Sequence, residues 1–346
     1  MSTKYIGLDV HQATTTMFVL DQQGKVIEQM VMQTDGHQLR ERIASITGKK
    51  ELAFEEGTMS DWLYYILKPV VHRLVVCDPR AIRRMAGASK NDAIDARLLA
   101  NELRMNNLRP VFHQTSALEA LRASWRSYEQ LTRDLTRTKN RLKALYRSRG
   151  IRTEDSLYEP ESRAALLERL DHRELRQRAG LLFEQLDFLA QQKERSSQHM
   201  VSCARKHQGY RLIKSVPGFG PVRAATVLST VVTPHRFGNK RKFWSYCGLA
   251  VVVRTTGDWK MGPNGLVRVE QKQTRGLNKN RNAAMKEAFK SAAIQAIKAS
   301  PFQEFAEAYR QRGLAESLTR VVVARKLAAI VLTIWKKGEM FDRNKL

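Results

Sequence analysis

Residues 5–33 read YIGLDVHQATTTMFVLDQQGKVIEQMVMQ, in which three largely apolar runs follow one another closely. The runs are Tyr5–Val10, Thr14–Leu20 and Val26–Gln33, each of strand length and rich in β-branched or large apolar residues. The sequence DQQG between the last two runs is typical of a turn. We therefore predict three consecutive strands, the last two joined as a hairpin.

The following residues alternate helix and strand signals. We predict helices at Gly36–Thr47 and Met59–Val71, strands at Glu51–Glu55 and Leu74–Cys77, and one or two helices within Ala81–Met105. A hairpin followed by alternating strands and helices is typical of a mixed sheet with helices on its faces. The N-terminal portion is therefore predicted to be α/β.

Four acidic residues stand at defined places in this pattern. Asp9 closes the first strand run in YIGLDVH, Glu55 closes an apolar run in LAFEEGT, and Asp92 and Asp95 are three apart in the helical segment KNDAIDARLLA. Carboxylates three apart on a helix share one face, and strand ends are rigid positions. Such a set could hold hard divalent cations such as Mg²⁺, which act in pairs about 3.5–4 Å apart in phosphodiester chemistry. Each acid alone is also typical of a turn, and Asp92 of a helix N-cap.

The charge balance points to a polyanionic partner. The 346 residues contain 60 Lys and Arg against 34 Asp and Glu, a formal net charge of +26. Each phosphate that a cation neutralises releases counterions, so nucleic acid is the partner we expect first, with a membrane surface as the competing interpretation. The sequence contains no long apolar run and no signal-like start, and its three cysteines are widely spaced. We expect an intracellular, cytoplasmic protein without a disulfide framework or zinc site.

Residues 113–206 indicate two long helices. Between residues 116 and 149, apolar or small side chains recur at steps of three and four, at Leu121, Trp125, Tyr128, Leu131, Leu135, Thr138, Leu142 and Leu145. A second helix is predicted from Glu161 to His207, with an irregularity near Asp171. The seam needs a partner, which is either the second helix in an intramolecular hairpin or a second copy of the chain. The basic outer face of the first helix either lies along nucleic acid or is simply solvated.

The sequence LIKSVPGFGPV at residues 212–222 is typical of a helix-hairpin-helix turn. Gly218 and Gly220 in such a turn let backbone N–H groups approach a phosphate at a helix N-terminus, here the helix predicted at 222–231. A plain tight turn between helices is the alternative. We favour the phosphate contact because of the charge balance.

A dense set of cations follows this turn. We predict that these side chains bind phosphates and neutralise the charge that develops at a scissile one. The predicted nucleic-acid contacts are Lys240, Arg241, Lys242, Arg254, Lys260, Arg275, Lys279 and Arg281. The apolar residues of the last predicted helix, Leu318–Lys337, are predicted to pack in a core.

The order GLDV, FEEGT and KNDAIDARLLA resembles the RuvC-like DEDD transposases of bacterial insertion sequences, of the IS110/IS1111 type, which are bridge-RNA-guided recombinases. The resemblance spans essentially the whole chain, and NDAIDARLLA is its most specific part. It implies a ribonuclease H-like fold and makes Asp9, Glu55, Asp92 and Asp95 the four acidic site residues. Glu55 is preferred to the adjacent Glu56 because it directly follows the apolar strand.

The resemblance also implies a division into three domains. Residues 1–112 would form the RuvC-like DEDD metal domain, 113–206 a helical coiled-coil and dimerisation segment, and 207–346 a mostly helical C-terminal transposase domain. The last would carry the helix-hairpin-helix-like turn and the nucleophile.

In the resembling family, a serine a few residues beyond a Gly-Leu pair attacks DNA and forms a covalent phosphoserine link. Counting from Gly248-Leu249 places Thr256 at that position, with Thr255 as the neighbour if the register slips by one. Threonine can serve as a covalent nucleophile when it is activated. The chain is then a natural threonine enzyme, an altered or inactive version of a serine enzyme, or one whose nucleophile lies elsewhere. Ser245 is the obvious substitute, but it stands among aromatic residues and is predicted to be packed.

The function implied is that of an RNA-guided DNA recombinase of an insertion sequence. It would cut and rejoin DNA through a covalent hydroxyl–phosphate intermediate, with Mg²⁺ held by the DEDD site. The implied partners are the element ends, the target DNA, a structured noncoding guide RNA and further copies of the chain in a homodimer or homotetramer, in a nucleoid-associated location. Two alternatives stay open: a metal-only RuvC-type structure-specific nuclease, and a catalytically inactive nucleic-acid-binding relative.

Overall fold

The computed structural model describes residues 2–79, 92–113, 117–263 and 265–345, with the side chains at 155, 253–258, 268–275 and 345 left out. The chain divides into two compact units, residues 1–116 and 117–346. The finer division into three domains at 112 and 206 stays a prediction.

The first unit is built around one five-stranded sheet. Its elements are β1 Thr3–Val10, β2 Thr14–Leu20, β3 Val26–Gln33, α1 Gly36–Ser45, β4 Lys49–Glu55, α2 Ser60–Leu67, β5 Arg73–Cys77 and α3 Asp92–Arg104, with a short 3₁₀ helix at Lys68–Val70. The strand order is β3-β2-β1-β4-β5. Strands β1, β2 and β3 pair antiparallel, whereas β1 with β4 and β4 with β5 pair parallel. The predicted α/β class and mixed sheet are confirmed.

Both faces of the sheet are covered, which explains why its central strands are apolar throughout. One face buries Ile6, Leu8, Met17, Val19, Leu52 and Phe54 against apolar residues of α1 and α2. On the other face Phe18 and Leu20 pack against Ala96 and Ala100 of α3. Successive side chains of a strand point to opposite faces, so a strand covered on both sides loses the apolar-polar alternation of an exposed sheet.

The second unit is mainly helical. Its elements are α4 Glu119–Arg147, α5 Arg163–Glu168, α6 Arg173–Arg205, α7 Gln208–Lys214, α8 Pro221–Val231, α9 Lys240–Tyr246, β6 Val251–Gly262, β7 Gly265–Leu277, α10 Ala283–Ala296, α11 Phe302–Gln311 and α12 Glu316–Lys337. Four short 3₁₀ helices lie at Asp155–Tyr158, Pro160–Ser162, Pro234–Arg236 and Arg343–Lys345. None of the helices in the described ranges combines the length and apolar composition that crossing a bilayer requires.

The long helices α4 and α6 pack antiparallel within the chain. Near one end Ser124 lies 3.9 Å from Cys203, and further along Thr138 donates a 3.3 Å hydrogen bond to Gln185. The break between α5 and α6 falls at residues 169–172, where the sequence predicted an irregularity. The apolar seam of α4 therefore packs against α6 of the same chain. This is the intramolecular hairpin that the sequence offered as one of two alternatives.

The C-terminal helices enclose an aromatic core, and the same unit contains a β-hairpin that was not predicted from the sequence. Phe289 packs edge-on against both Phe219 and Phe243, with ring centroids 5.4 and 5.7 Å apart. Strands β6 and β7 form a long antiparallel hairpin that pairs with no other described strand. The mostly helical C-terminal portion thus includes a two-stranded ribbon. The exposed residues near its turn give no core-facing alternation, so the ribbon was not predicted, although Asn264-Gly265 is a short-range hairpin signal.

Candidate active site

The parallel strands β1 and β4 place two of the predicted acids at one edge of the sheet. Leu8 pairs with Phe54, so Asp9 and Glu55 follow at neighbouring positions where both strands end. Glu55 in turn stands opposite Cys77 on β5. The carboxyl ends of parallel strands meet at the same edge, so this edge carries an acidic pair on rigid backbone.

Helix α3 brings the other two acids to the same edge. Asp92 and Asp95 occupy its first turn, and both lie close enough to Asp9 for their negative charges to act on its carboxyl group. One ligand atom from each of Asp9, His11 and Asp92 lies within 4.8 Å of the other two. Within the described ranges this is the group with metal-site geometry, and neither Glu55 nor Asp95 is part of it.

His11 bridges the two closest acids. Its Nε2 atom lies 3.3 Å from Asp9 Oδ2 and 3.5 Å from Asp92 Oδ1. His11 was not predicted as a site residue from the sequence. The available signal was its position two residues after Asp9, because alternate residues of an extended chain point to the same side.

The electrostatics of the cluster favour a bound cation. Burial raises the pKa of the Asp9 carboxyl above its ordinary value, the neighbouring His11 imidazole opposes that rise, and the charges of Asp92 and Asp95 add to it. Carboxylates that repel one another are stabilised by a multivalent cation, and carboxylate oxygens are the ligands that hard divalent cations take. The donor set at this edge therefore fits a divalent metal ion.

Glu56, the alternative to Glu55 as the site glutamate, contacts a histidine outside the acidic cluster. Its carboxylate lies 2.7 Å from His113 Nε2, and His113 Nδ1 lies 3.3 Å from Asp61 Oδ1. The His113 side chain is only 6% exposed and packs beside the ring of Tyr64. Glu55, by contrast, stands at the strand position next to Asp9, and its role in the site stays a prediction.

Cys77 at the same edge is not a reactive thiol. Burial, with the nearby charge of Glu55 as the next cause, raises its pKa to about 12. The thiol donates a 3.3 Å hydrogen bond to the carbonyl oxygen of Phe54. Because the thiolate is the nucleophile and metal ligand, a thiol with so high a pKa serves packing.

The two glycines of the predicted helix-hairpin-helix turn differ in what they do. Gly218 has φ +86°, and a Cβ there would lie 3.0 Å from the Ala292 carbonyl carbon and closer to its oxygen. A Cβ at Gly220, the N-cap residue of α8, would meet no described atom within 4 Å. Packing against α10 therefore accounts for Gly218, while the backbone at Gly220 is open to a ligand.

The predicted cations that are described lie on the surface. Lys240, Arg241 and Lys242 are exposed in the first turn of α9, where the Asn239 side chain accepts a 3.0 Å hydrogen bond from the Lys242 N–H. Three cations at the positive end of a helix dipole are unfavourable unless an anion lies nearby. Lys260 and Lys279 are also exposed.

Arg281 combines packing with a surface position. Its aliphatic carbons cover Gly248, where a Cβ would lie 2.9 Å from Arg281 Cβ. Its Nη1 donates 3.4 Å hydrogen bonds to the carbonyls of Asn278 and Lys279. The side chains of Arg254 and Arg275 lie outside the described residues.

Thr256, the predicted nucleophile, lies on β6 with its backbone opposite Gln271, and Thr255 stands opposite Lys272. The side chains of both threonines lie outside the described residues. Ser245, the substitute considered from sequence, is half-buried and its hydroxyl accepts a 3.1 Å hydrogen bond from Asn278 Nδ2. That contact gives Ser245 a structural role.

The first unit contains a sheet of order β3-β2-β1-β4-β5 that is antiparallel on one side and parallel on the other, and carboxylates lie where β1 and β4 end. These features define a ribonuclease H-like domain with a divalent-metal site. Residues 6–148 match the family model for DEDD transposases of IS110, described as Transposase. Residues 210–310 match a second model, described as Transposase IS116/IS110/IS902 family. Comparison with curated proteins gives no match.

The chain belongs to the IS110 family of transposases. It is therefore a DNA transposase or recombinase, and DNA is its substrate. The family assignment implies use of a divalent metal, and the acidic cluster supplies suitable ligands.

Proposed function

We propose that the chain is an RNA-guided recombinase of an insertion sequence that cuts and rejoins DNA through a covalent hydroxyl–phosphate intermediate. The observation that carries the proposal is the convergence of Asp9, His11 and Asp92 at the edge where β1 and β4 end. It supports a cation site on rigid backbone in a protein whose substrate is DNA.

In this proposal Asp9, Glu55, Asp92 and Asp95 hold Mg²⁺. Mg²⁺ prefers oxygen ligands, whereas softer metals prefer nitrogen or sulfur ligands. An ion held by these residues would supply Lewis-acid polarisation of the scissile phosphate and would offset its developing charge. His11, in contact with two of the carboxylates, fixes their orientation in the way that hydrogen-bonded partners of metal ligands do.

Thr256 is the proposed nucleophile. Its hydroxyl oxygen forms a bond to the scissile phosphorus as the bond from phosphorus to the leaving deoxyribose oxygen breaks. The hydroxyl gives up one proton and the leaving oxygen gains one. The resulting phosphothreonine ester keeps the bond energy that a new DNA hydroxyl uses when it attacks the same phosphorus. Support comes from the spacing of Thr256 from Gly248-Leu249 and from the surrounding cations.

A labelled substrate on a denaturing gel tests the chemistry. The protein is incubated with element-end DNA, RNA transcribed from the element and Mg²⁺, alongside Thr256→Ala and Thr256→Ser. We expect a covalent adduct from the natural chain and from Thr256→Ser, and none from Thr256→Ala. Cleavage without an adduct in all three chains would instead establish the metal-only nuclease. An adduct only from Thr256→Ser would establish an inactivated serine enzyme.

Guidance by RNA and assembly into a homodimer or homotetramer are further parts of the proposal. Their support is the net charge of +26 and the family membership. Protein purified from cells that carry the element should contain a discrete element-derived RNA and run as a dimer or larger. Recombination by a preparation free of RNA would overturn guidance, and an active monomer would overturn assembly.

A further inference from the structure

The β6–β7 hairpin ends in an exposed apolar tip. Trp259 is 62% exposed, Met261 83%, Leu266 64% and Val267 53%. Burying a side chain of this size against an apolar surface contributes about 1.5–3 kcal/mol, so four together at a tip are a feature to explain.

Three of these side chains share one face. Met261 stands opposite Leu266 in the hairpin register, and Trp259 lies two residues before Met261. Directly opposed residues and alternate residues of a strand point to the same face. Trp259, Met261 and Leu266 therefore form a continuous apolar face, which we call the tip face.

The hairpin is anchored at its base and projects from there. The Asn278 N–H donates a 2.9 Å hydrogen bond to the Ala250 carbonyl, and Arg325 Nε donates a 2.6 Å bond to the Leu249 carbonyl. At about 3.4 Å per residue, a 12-residue strand such as β6 reaches about 40 Å from this anchor. Two-stranded β-ribbons are known to enter the grooves of DNA, the minor groove as well as the major one.

The charge of the hairpin indicates which partner it binds. The segment 251–277 contains five Lys or Arg against two acidic residues, within a chain of net charge +26. The phosphates that line a DNA groove attract this positive ribbon, whereas the surface of a second copy of the chain offers it no such charge complementarity. Exposed Lys260 lies on the tip itself, between Trp259 and Met261.

We propose that the hairpin tip enters DNA and inserts the tip face between bases, as a wedge that unstacks a base step near the site of strand exchange. Met and Leu are typical wedge residues in proteins that kink DNA, and an aromatic ring such as that of Trp259 stacks on an unpaired base of any sequence. The inference rests on DNA as the substrate and not on the assignment of Thr256.

The test compares two synthetic 30-base-pair duplexes, one fully paired and one with a two-nucleotide central bubble, in a buffer without divalent metal. A wedge binds the bubble more tightly because the unstacking is already done, so we expect a preference of about tenfold for the natural chain. In the double variant Trp259→Ala, Met261→Ala the ratio should fall to about one. The dependence of binding on salt should stay unchanged because no phosphate contact is lost.

Met340→Ala is the matched control, since Met340 is also an exposed methionine of this unit, at 59%. It should keep the bubble preference. Equal binding of both duplexes by the natural chain, or a preference that survives in the double variant, would overturn the proposal. If the double variant also lowered the oligomeric mass in sedimentation, the tip face would be a protein contact instead. Because no strand is cut in this buffer, the result is independent of the proposed chemistry.

Discussion

Gly7 on β1 and Ala96 on α3 are in backbone contact. A Cβ at Gly7 would lie 2.6 Å from the Ala100 nitrogen and closer still to the Ala96 carbonyl oxygen. Only a residue without a side chain lets the helix approach the strand this closely. The contact brings the first turn of α3, with Asp92 and Asp95, beside Asp9 two residues further along β1.

Gly7→Ala should therefore damage stability and activity together. The added methyl group forces α3 away from the sheet, and overpacking of this kind costs about 1–3 kcal/mol. We expect a lower free energy of unfolding and loss of DNA cleavage, checked by urea unfolding and by strand cleavage in Mg²⁺.

Gly180→Ala is the matched control. Gly180 lies within α6, where a Cβ would meet no described atom within 4 Å. Replacing a helical glycine with alanine should stabilise the chain by about 0.5–1 kcal/mol. Full activity in Gly7→Ala would contradict the role assigned to the close approach.

Asp92→Asn should abolish both metal binding and strand cleavage, because the cluster loses a charged oxygen ligand. In a thermal-unfolding series, Mn²⁺ or Mg²⁺ should raise the melting temperature of the natural chain and leave that of the variant unchanged, since a ligand stabilises only the state that binds it. Asp171→Asn, at an exposed aspartate before α6, should behave as the natural chain. A variant that keeps the metal-dependent shift would place the ion elsewhere.

His113→Ala should destabilise the first unit. The imidazole contacts Glu56 and Asp61 from a buried position, and its removal leaves both carboxylates without this partner. Truncating a buried side chain and its contacts costs about 0.5–3 kcal/mol, measured as a drop in the free energy of unfolding. His37→Ala is the control, because His37 is 79% exposed and pairs with Glu41 on one helix face. His37→Ala should lower the free energy of unfolding by less than about 0.5 kcal/mol. An equal loss of stability in both variants would contradict a stabilising role specific to the buried His113.

Arg163 and Asp187 make part of the stability depend on pH. The hydrogen bond from Arg163 lowers the pKa of Asp187, with oxygen–nitrogen distances of 2.5 and 2.6 Å. A carboxyl whose pKa is lower in the folded state stabilises that state above its unfolded pKa, and the effect disappears as pH falls through the folded pKa.

Asp187→Asn should thus lower the free energy of unfolding at pH 7 and have no such effect under strongly acidic conditions. The Asp187 side chain is 56% exposed, so the difference at pH 7 should be below about 1 kcal/mol. Urea unfolding of both chains at pH 7 and under acidic conditions measures it. A difference that persists in acid would mean that packing, not the ion pair, is responsible.

Local patterns determined most of the first unit. Strands β2 and β3 begin and end where predicted, because the turn at DQQG and the runs beside it are short-range signals. The hairpin of β6 and β7 was missed, because its tip residues face solvent and give no core-facing alternation. His11 was missed because its significance depends on Asp92, far away in the sequence.

The sequence by itself determined the α/β class of the first unit and the family, since apolar runs, turn residues and short motifs are local properties of the chain; that all four acids form the site stays a prediction. Tertiary structure alone decided that Asp9, His11 and Asp92 share one edge, that Glu56 contacts His113, and that Trp259 is exposed on a two-stranded ribbon. These relationships join residues distant in sequence. They arise from how closely α3 packs on β1 and from strand pairing, which no local pattern encodes.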